Sequence, residues 1–169
     1  MLELIEAGRE QETVLRNLLE KYLCEFSQWE QLDVDEDGLY GYEWLDYYFA
    51  EEPRHAYLIR VDGKLAGLVM VSNYPEVPEE PMDYAISEFF ILPKYRRQGY
   101  GKAAFFRVLD LHPGKWQLKR HPKNRESVYF WNQVIAEYTG GKYRLVEAYP
   151  NEAVNYCDGT PADVFFFEN

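Results

Sequence analysis

Residues 88–104 read EFFILPKYRRQGYGKAA, and this stretch decides the fold. It carries most of an apolar and aromatic run, Ile86, Phe89, Phe90, Ile91 and Leu92, whose length suits a buried strand and is too short for a core helix. Pro93 ends the strand. After Arg96, Arg97 and Gln98 comes Gly99-Tyr100-Gly101, and residues 102–111 then place apolar side chains at 105, 108, 109 and 111, the spacing of a helix with one buried face. The pattern is strand, basic glycine-punctuated turn, helix. Such a turn is an anion site: glycines leave backbone N–H groups uncovered, the helix start adds its positive dipole end, and Arg96, Arg97 and Lys102 supply mobile charge.

Three phosphate-binding turns compete for this stretch. The Walker pattern needs a Ser or Thr after its lysine, and Ala103 follows Lys102. Gly99-x-Gly101-x-x-Ala104 satisfies the letters of the dinucleotide fingerprint and leaves an NADP-dependent enzyme open. That motif starts at the strand end, however, and wants an acidic residue about 20 positions on, where this chain has Lys119 and Arg120.

The third candidate is more specific. Arg96-x-x-Gly99-x-Gly101, with an aromatic strand ending in Leu-Pro before it and an amphipathic helix after it, resembles the acyl-coenzyme A pyrophosphate loop of the GNAT acyltransferase superfamily. Downstream, Asn124, Ser127, Phe130 and Trp131 resemble that family's second motif, N-x-x-[AS]-x-x-F-[YW]. With the flanking elements, the likeness extends over nearly the whole chain. It implies an α/β (α+β) GNAT fold: a mixed central sheet of about seven strands with about four helices, in which strands 4 and 5 splay apart. It implies acetyl-CoA as cosubstrate without a metal, and an amine as acceptor. The pantetheine arm would pair with backbone near Phe90, Ile91 and Leu92. The loop Arg96, Arg97, Gln98, Gly99, Tyr100, Gly101, Lys102 and Ala103 would hold the pyrophosphate, and Asn124 and Trp131 would face the arm.

Composition narrows the partners. The 169 residues fit one domain, 1–169, able to bury roughly 70% of the surface of the unfolded chain. The 29 acidic and 18 basic residues leave a net charge of −11, which disfavours nucleic acid and anionic membranes and favours a cationic acceptor. Cys24 and Cys157 lie far apart with no metal-ligand spacing, and His55, His112 and His121 show no helical metal pair. The opening MLELIEAGREQET has no basic region followed by a long apolar run, so a cytoplasmic location is expected. A monomer or a homodimer is compatible with the chain, the latter by pairing of the aromatic stretch Val164 to Phe167.

Read in order, residues 2–5 alternate as a short strand, and apolar residues from Val14 to Phe26 recur at three and four, predicting a helix over about 10–26. Asp33, Asp35, Asp37 and Gly38 match the first half of a calcium loop, but position 12 falls on Trp44, so an exposed acidic loop is expected. The aromatics from Tyr40 to Phe49 predict a short helix, and in the family resembled this segment often lines the acceptor pocket. Asp62-Gly63 between apolar runs predicts a hairpin of strands over 56–61 and 65–71. Residues 73–83 form a loop, and strands at 86–92, 115–119, 143–148 and 163–167 with a helix over 124–138 complete a βααβββαβαββ order.

Attack of an amine on a thioester requires a base for the amine and an acid for the departing sulfur. Glu88, beside Phe89 and Phe90, is the expected base, because the matching acidic position serves so in several members of the family resembled and burial would raise its pKa. An outward-facing Glu88 in a salt bridge is the competing reading. Many members carry a tyrosine seven residues after the helix-capping asparagine as the acid; here that position is Trp131, whose indole N–H cannot serve, so the acid is unassigned. Trp131 also keeps open a second function, an acyl-CoA-binding sensor with little or no transfer.

Overall fold

The computed structural model describes residues 1–50 and 53–169. Strand β1 (Leu2–Glu6) leads through a single 3-10 turn into helix α1 (Glu12–Glu30) and the four-residue α2 (Tyr47–Ala50). Then come β2 (His55–Val61), β3 (Lys64–Ser72), β4 (Tyr84–Ile91), α3 (Tyr100–Leu111), β5 (Lys115–Arg120), α4 (Arg125–Thr139), β6 (Tyr143–Val146) and β7 (Asp163–Glu168). The seven strands form one sheet in the order β1-β2-β3-β4-β5-β7-β6, and the β4–β5 pair alone is parallel.

Strand alternation gives the sheet two apolar faces. Leu58, Leu68, Met70 and Phe90 pack under Leu15, Leu18 and Leu19 of α1 and Tyr48 of α2. Tyr57, Val69, Val71, Ile86, Trp116 and Leu118 pack under Phe105, Val108 and Leu109 of α3 and Trp131, Val134 and Ile135 of α4. Each fully buried leucine or valine contributes about 1.5–3 kcal/mol relative to exposure, so these two layers hold the helices against the sheet.

Two features of β4 shape the site. Its ladder to β5 stops at Ile86 opposite Leu118, so the two strands part just before Glu88. On its other edge, Met70 of β3 faces Glu88 while Val71 faces Ile86, so Ser87 is an extra residue, a β-bulge. Strict alternation would put Ile86 and Glu88 on one face. The bulge instead leaves Ile86 and Phe89 in the α3/α4 layer and turns Phe90 into the α1 layer. Glu88 goes with Phe90, toward α1.

Several expectations need correction. Helix α1 runs one turn further, to Glu30, because Phe26 and Trp29 continue its apolar side with rings 5.6 Å apart. The aromatic segment after it is mostly irregular: the amides of Tyr40 and Gly41 are held by the two Glu20 carboxylate oxygens, each at 2.8 Å, and only Tyr47–Ala50 is helical. The acidic run closes on itself, with Asp35 accepting from the amides of Asp37 and Leu39. Pairing of residues 164–167 across a dimer is excluded, since β7 lies inside the sheet with β5 on one edge and β6 on the other.

Candidate active site

The parting of β4 and β5 opens a cavity of about 1430 Å³ that runs from the glycine turn to the far end of α1. At one end stands the turn. Leu92 and a 3-10 turn at Pro93–Tyr95 lead to Arg97 (φ 57°) and Gly99 (φ 82°), two left-handed residues that reverse the chain so that α3 can start at Tyr100. The first amides of α3 therefore have no partner within the helix, the arrangement that receives phosphate oxygens. Gly101 faces α4, where a Cβ would come within 3.3 Å of the Phe130 ring.

Most of the residues singled out in this region line the cavity: Glu88, Phe90, Ile91, Arg96, Arg97, Gly99, Gly101, Lys102, Asn124 and Trp131. The others turn elsewhere. The Leu92 amide donates to the Ala66 carbonyl at 2.8 Å, toward β3, so it is not free to face the split. Gln98 bonds to the Lys94 carbonyl and, with Tyr100, borders a small surface depression. Tyr100 and Ala103 pack against the layer beneath β1–β3.

The three cations of the turn already have carboxylate partners. Arg96 donates Nε to the Ile91 carbonyl at 2.8 Å and both terminal nitrogens to Glu25 of α1. Arg97, its side chain 85% exposed, pairs with Glu126 at 2.8 Å, and Lys102 pairs with Glu137 at 2.9 Å. Exposed pairs of this kind contribute about 0–1 kcal/mol and exchange readily for a phosphate. Asn124 caps α4 by accepting from the Ser127 amide at 3.1 Å, which leaves its side-chain NH2 for other partners.

Glu88 sits midway along the cavity. Tyr42 donates its hydroxyl to Glu88 Oε1 at 2.9 Å, and the Tyr22 hydroxyl acts on the same carboxyl. Burial lifts the Glu88 pKa from 4.5 to about 7; the two tyrosines pull it down, while the carboxylates of Glu76 and Glu30 push it up. No ion pair is recorded for Glu88 among the described residues, which sets aside its reading as half of a surface salt bridge. Tyr42 is itself pushed well above the ordinary phenol range, first by burial and then by the neighbouring Glu88 charge.

Trp131 is a core residue that only edges the cavity. It is 6% exposed and packs against Phe89 and Phe105, each with ring centroids 5.2 Å away. Tyr129 stands at the cavity wall, 70% exposed.

The far end combines Phe26 and Trp29 of α1, Glu30, Glu76 of the loop before β4, Lys119 of β5, His121, and Tyr156 of the loop before β7. The last four were not anticipated there. Only an alternation of faces along β5 could have placed Lys119, and nothing local marks Glu76 or Tyr156. His121 is buried against Tyr156 with rings 4.4 Å apart, and its Nδ1 accepts from the Lys123 amide. Burial lowers its pKa. Among the described residues no group of three or more His, Cys, Asp or Glu could hold a metal ion, and no helix is long and apolar enough to cross a membrane.

Comparison with known proteins agrees with this architecture. The family described as Acetyltransferase (GNAT) family matches residues 15–134, most of the chain, and the protein belongs to it. No curated protein matches the chain. Among solved structures it is similar to an acetyltransferase of the GNAT family from Staphylococcus aureus Mu50, with 13% identity, a TM-score of 0.62 and 99% of each chain covered. It is also similar to the spermidine N-acetyltransferase of Vibrio cholerae, solved with CoA and spermine, with 15% identity, a TM-score of 0.60, and 99% of this chain and 95% of that one covered. A third is the ribosomal-protein-S18-alanine N-acetyltransferase of Escherichia coli, with 11% identity, a TM-score of 0.57, and 98% and 91% covered. At such identities the likeness establishes the fold, and the seven-stranded mixed sheet with β4 and β5 parallel is the GNAT fold.

Proposed function

We propose that this acetyltransferase moves the acetyl group of acetyl-CoA to a primary amine, of a small molecule or of a peptide N-terminus, by direct attack with Glu88 as general base. The observation that carries the reading is Glu88 itself: one carboxyl with a pKa near 7, aimed into the cavity just past the point where β4 and β5 part. The residues present suit the cosubstrate. The turn 96–102 offers uncovered amides and exchangeable cations to the diphosphate, and the β4 edge beyond Ile86, freed from β5, can accept an extended amide-bearing arm as an added strand.

The bound cosubstrate supplies the thioester carbon. Glu88 takes a proton from the incoming ammonium, and the neutral nitrogen bonds to that carbon as the carbon–sulfur bond breaks. The sulfur leaves as a thiolate and gains a proton from solvent, while Glu88 returns its proton to water. A base with a pKa near 7 is half ionised at neutral pH, which suits this exchange. The amine acceptors of the polyamine and alanine N-acetyltransferases above support the amine class.

The burial of Trp131 supports a second reading, an acyl-CoA-binding module with little transfer. Calorimetric titration with acetyl-CoA, followed by a thiol-release screen over polyamines, aminoglycosides, amino acids and short peptides, separates the two. Micromolar binding with release for one amine class supports the enzyme. Binding without release from any amine favours the module, and no binding overturns both.

A further inference from the structure

The far end of the cavity is a cation site that the chain fills with its own side chain. Lys119 Nζ lies 4.4 Å from the centroid of the Tyr156 ring, a close cation–π contact. Glu30, the last residue of α1, and Glu76, from the loop before β4, both border the same space, and Lys119 is the cation that lowers the pKa of each against the upward push of burial. Three separate segments thus present two carboxylates and an aromatic face to one ammonium.

The topology makes this placement specific. Trp116 and Leu118 of β5 face the α3/α4 layer, so Gln117 and Lys119 face the opposite side, where Glu88 also lies. Lys119 is the first β5 residue past the last rung to β4. It therefore projects across the parted strands into the cavity that holds the base, where the charges of Glu30 and Glu76 also reach Glu88. Charge and shape at this end would otherwise receive the distal ammonium of an acceptor whose reacting amine stands at Glu88.

We propose that Lys119 is a specificity-determining residue: by occupying the Glu30–Glu76–Tyr156 cage it restricts the acceptor to molecules with a single amine, and its removal opens a second cation subsite for diamines. This rests on the amine-acetylating reading above. A second ammonium in the wild-type cavity would have to displace Lys119 or lie beside it, and like charges in a desolvated space repel strongly. Without Lys119, the two carboxylates and the ring are left for the acceptor.

The test compares amines of equal length with one and two charges, 1-aminohexane with 1,6-diaminohexane and the corresponding five- and four-carbon pairs. Thiol release is measured for wild type, Lys119→Met and Lys119→Gln, with thermal melts and acetyl-CoA calorimetry confirming that the variants fold and hold cosubstrate. Wild type is expected to favour each monoamine by at least tenfold in kcat/KM. The variants are expected to improve the diamines about tenfold while monoamines change less than threefold. A wild type that favours diamines, or folded variants with an unchanged preference, overturns the proposal. If wild type binds acetyl-CoA but acetylates no amine, the amine-acetylating reading fails and this inference falls with it.

Discussion

Arg96 and Glu25 form a two-point ion pair, with guanidinium nitrogens 2.8 and 2.6 Å from the two carboxylate oxygens, that ties the glycine turn to α1. The third guanidinium contact, Nε to the Ile91 carbonyl, fixes the turn to the end of β4. Arg96 therefore joins three elements around the cavity, and its side chain is an architectural cross-link.

The pair is about one-third exposed on each side, 28% and 34%, which screens it. A double-mutant cycle of Arg96→Ala and Glu25→Ala, read by urea unfolding, is expected to give a coupling of about 1 kcal/mol. Each single variant is also expected to weaken acetyl-CoA binding several-fold, because the turn loses its hold on α1.

Glu88→Gln removes the base while keeping its shape. The loss of kcat is expected to be about 10²–10⁴-fold, the usual worth of general base catalysis, with acetyl-CoA affinity unchanged. In wild type, kcat/KM should fall tenfold per pH unit below about 7, as the carboxyl protonates, and this limb should vanish in the variant.

The same carboxyl affects stability with a definite sign. Its folded pKa, about 7, lies above the ordinary 4.5, so the folded state binds this proton more tightly than the unfolded state. Wild type therefore loses stability as pH rises from about 4.5 to about 7. Glu88→Gln should match wild type at the acid end of that window and be the more stable protein at pH 8, as read by paired denaturant titrations.

Tyr42 holds the carboxyl down, and Glu20 holds the loop that carries Tyr42. A hydrogen bond to a charged group is worth roughly 1.5–3 kcal/mol. Tyr42→Phe should thus move the acid limb of the kcat/KM profile up by about one pH unit. Glu20→Ala should reproduce part of that shift, and the double variant should show less than the sum.

Gly67 of β3 faces Ile91, and a Cβ there would stand 2.0 Å from the Phe90 carbonyl oxygen. Gly67→Ala must push β4 away, at a cost of about 1–3 kcal/mol. The measurement is the urea midpoint, expected to fall without a change in slope.

The elements of this fold are legible because their signals are local. Asp62-Gly63 sets the β2–β3 hairpin, Asn124 and Gly140 bound α4, and the Arg96-x-x-Gly99-x-Gly101 turn announces itself by spacing alone. The base is legible through its strand and its apolar neighbours. Its regulators are not, since Tyr22 lies on α1, Tyr42 on an irregular segment, and Glu30 and Glu76 reach it only across the assembled cavity. Residues 31–46 misled because aromatics at helical spacing there cover the sheet edge and the cavity, while Glu20 takes the amides that a helix would have used.

The extra residue at Ser87 makes strand length a form of information. Removing one residue between Ile86 and Glu88 would shorten β4 by only 3.3 Å or so, yet it would exchange every inward and outward assignment on one side of the cut. The carboxyl now in the cavity would enter the aromatic layer of Trp131 and Phe105, or the aromatic Phe89 would enter the cavity in its stead. A single codon deletion here would then act as a swap of addresses along the strand, leaving the composition of the site nearly intact and its chemistry gone.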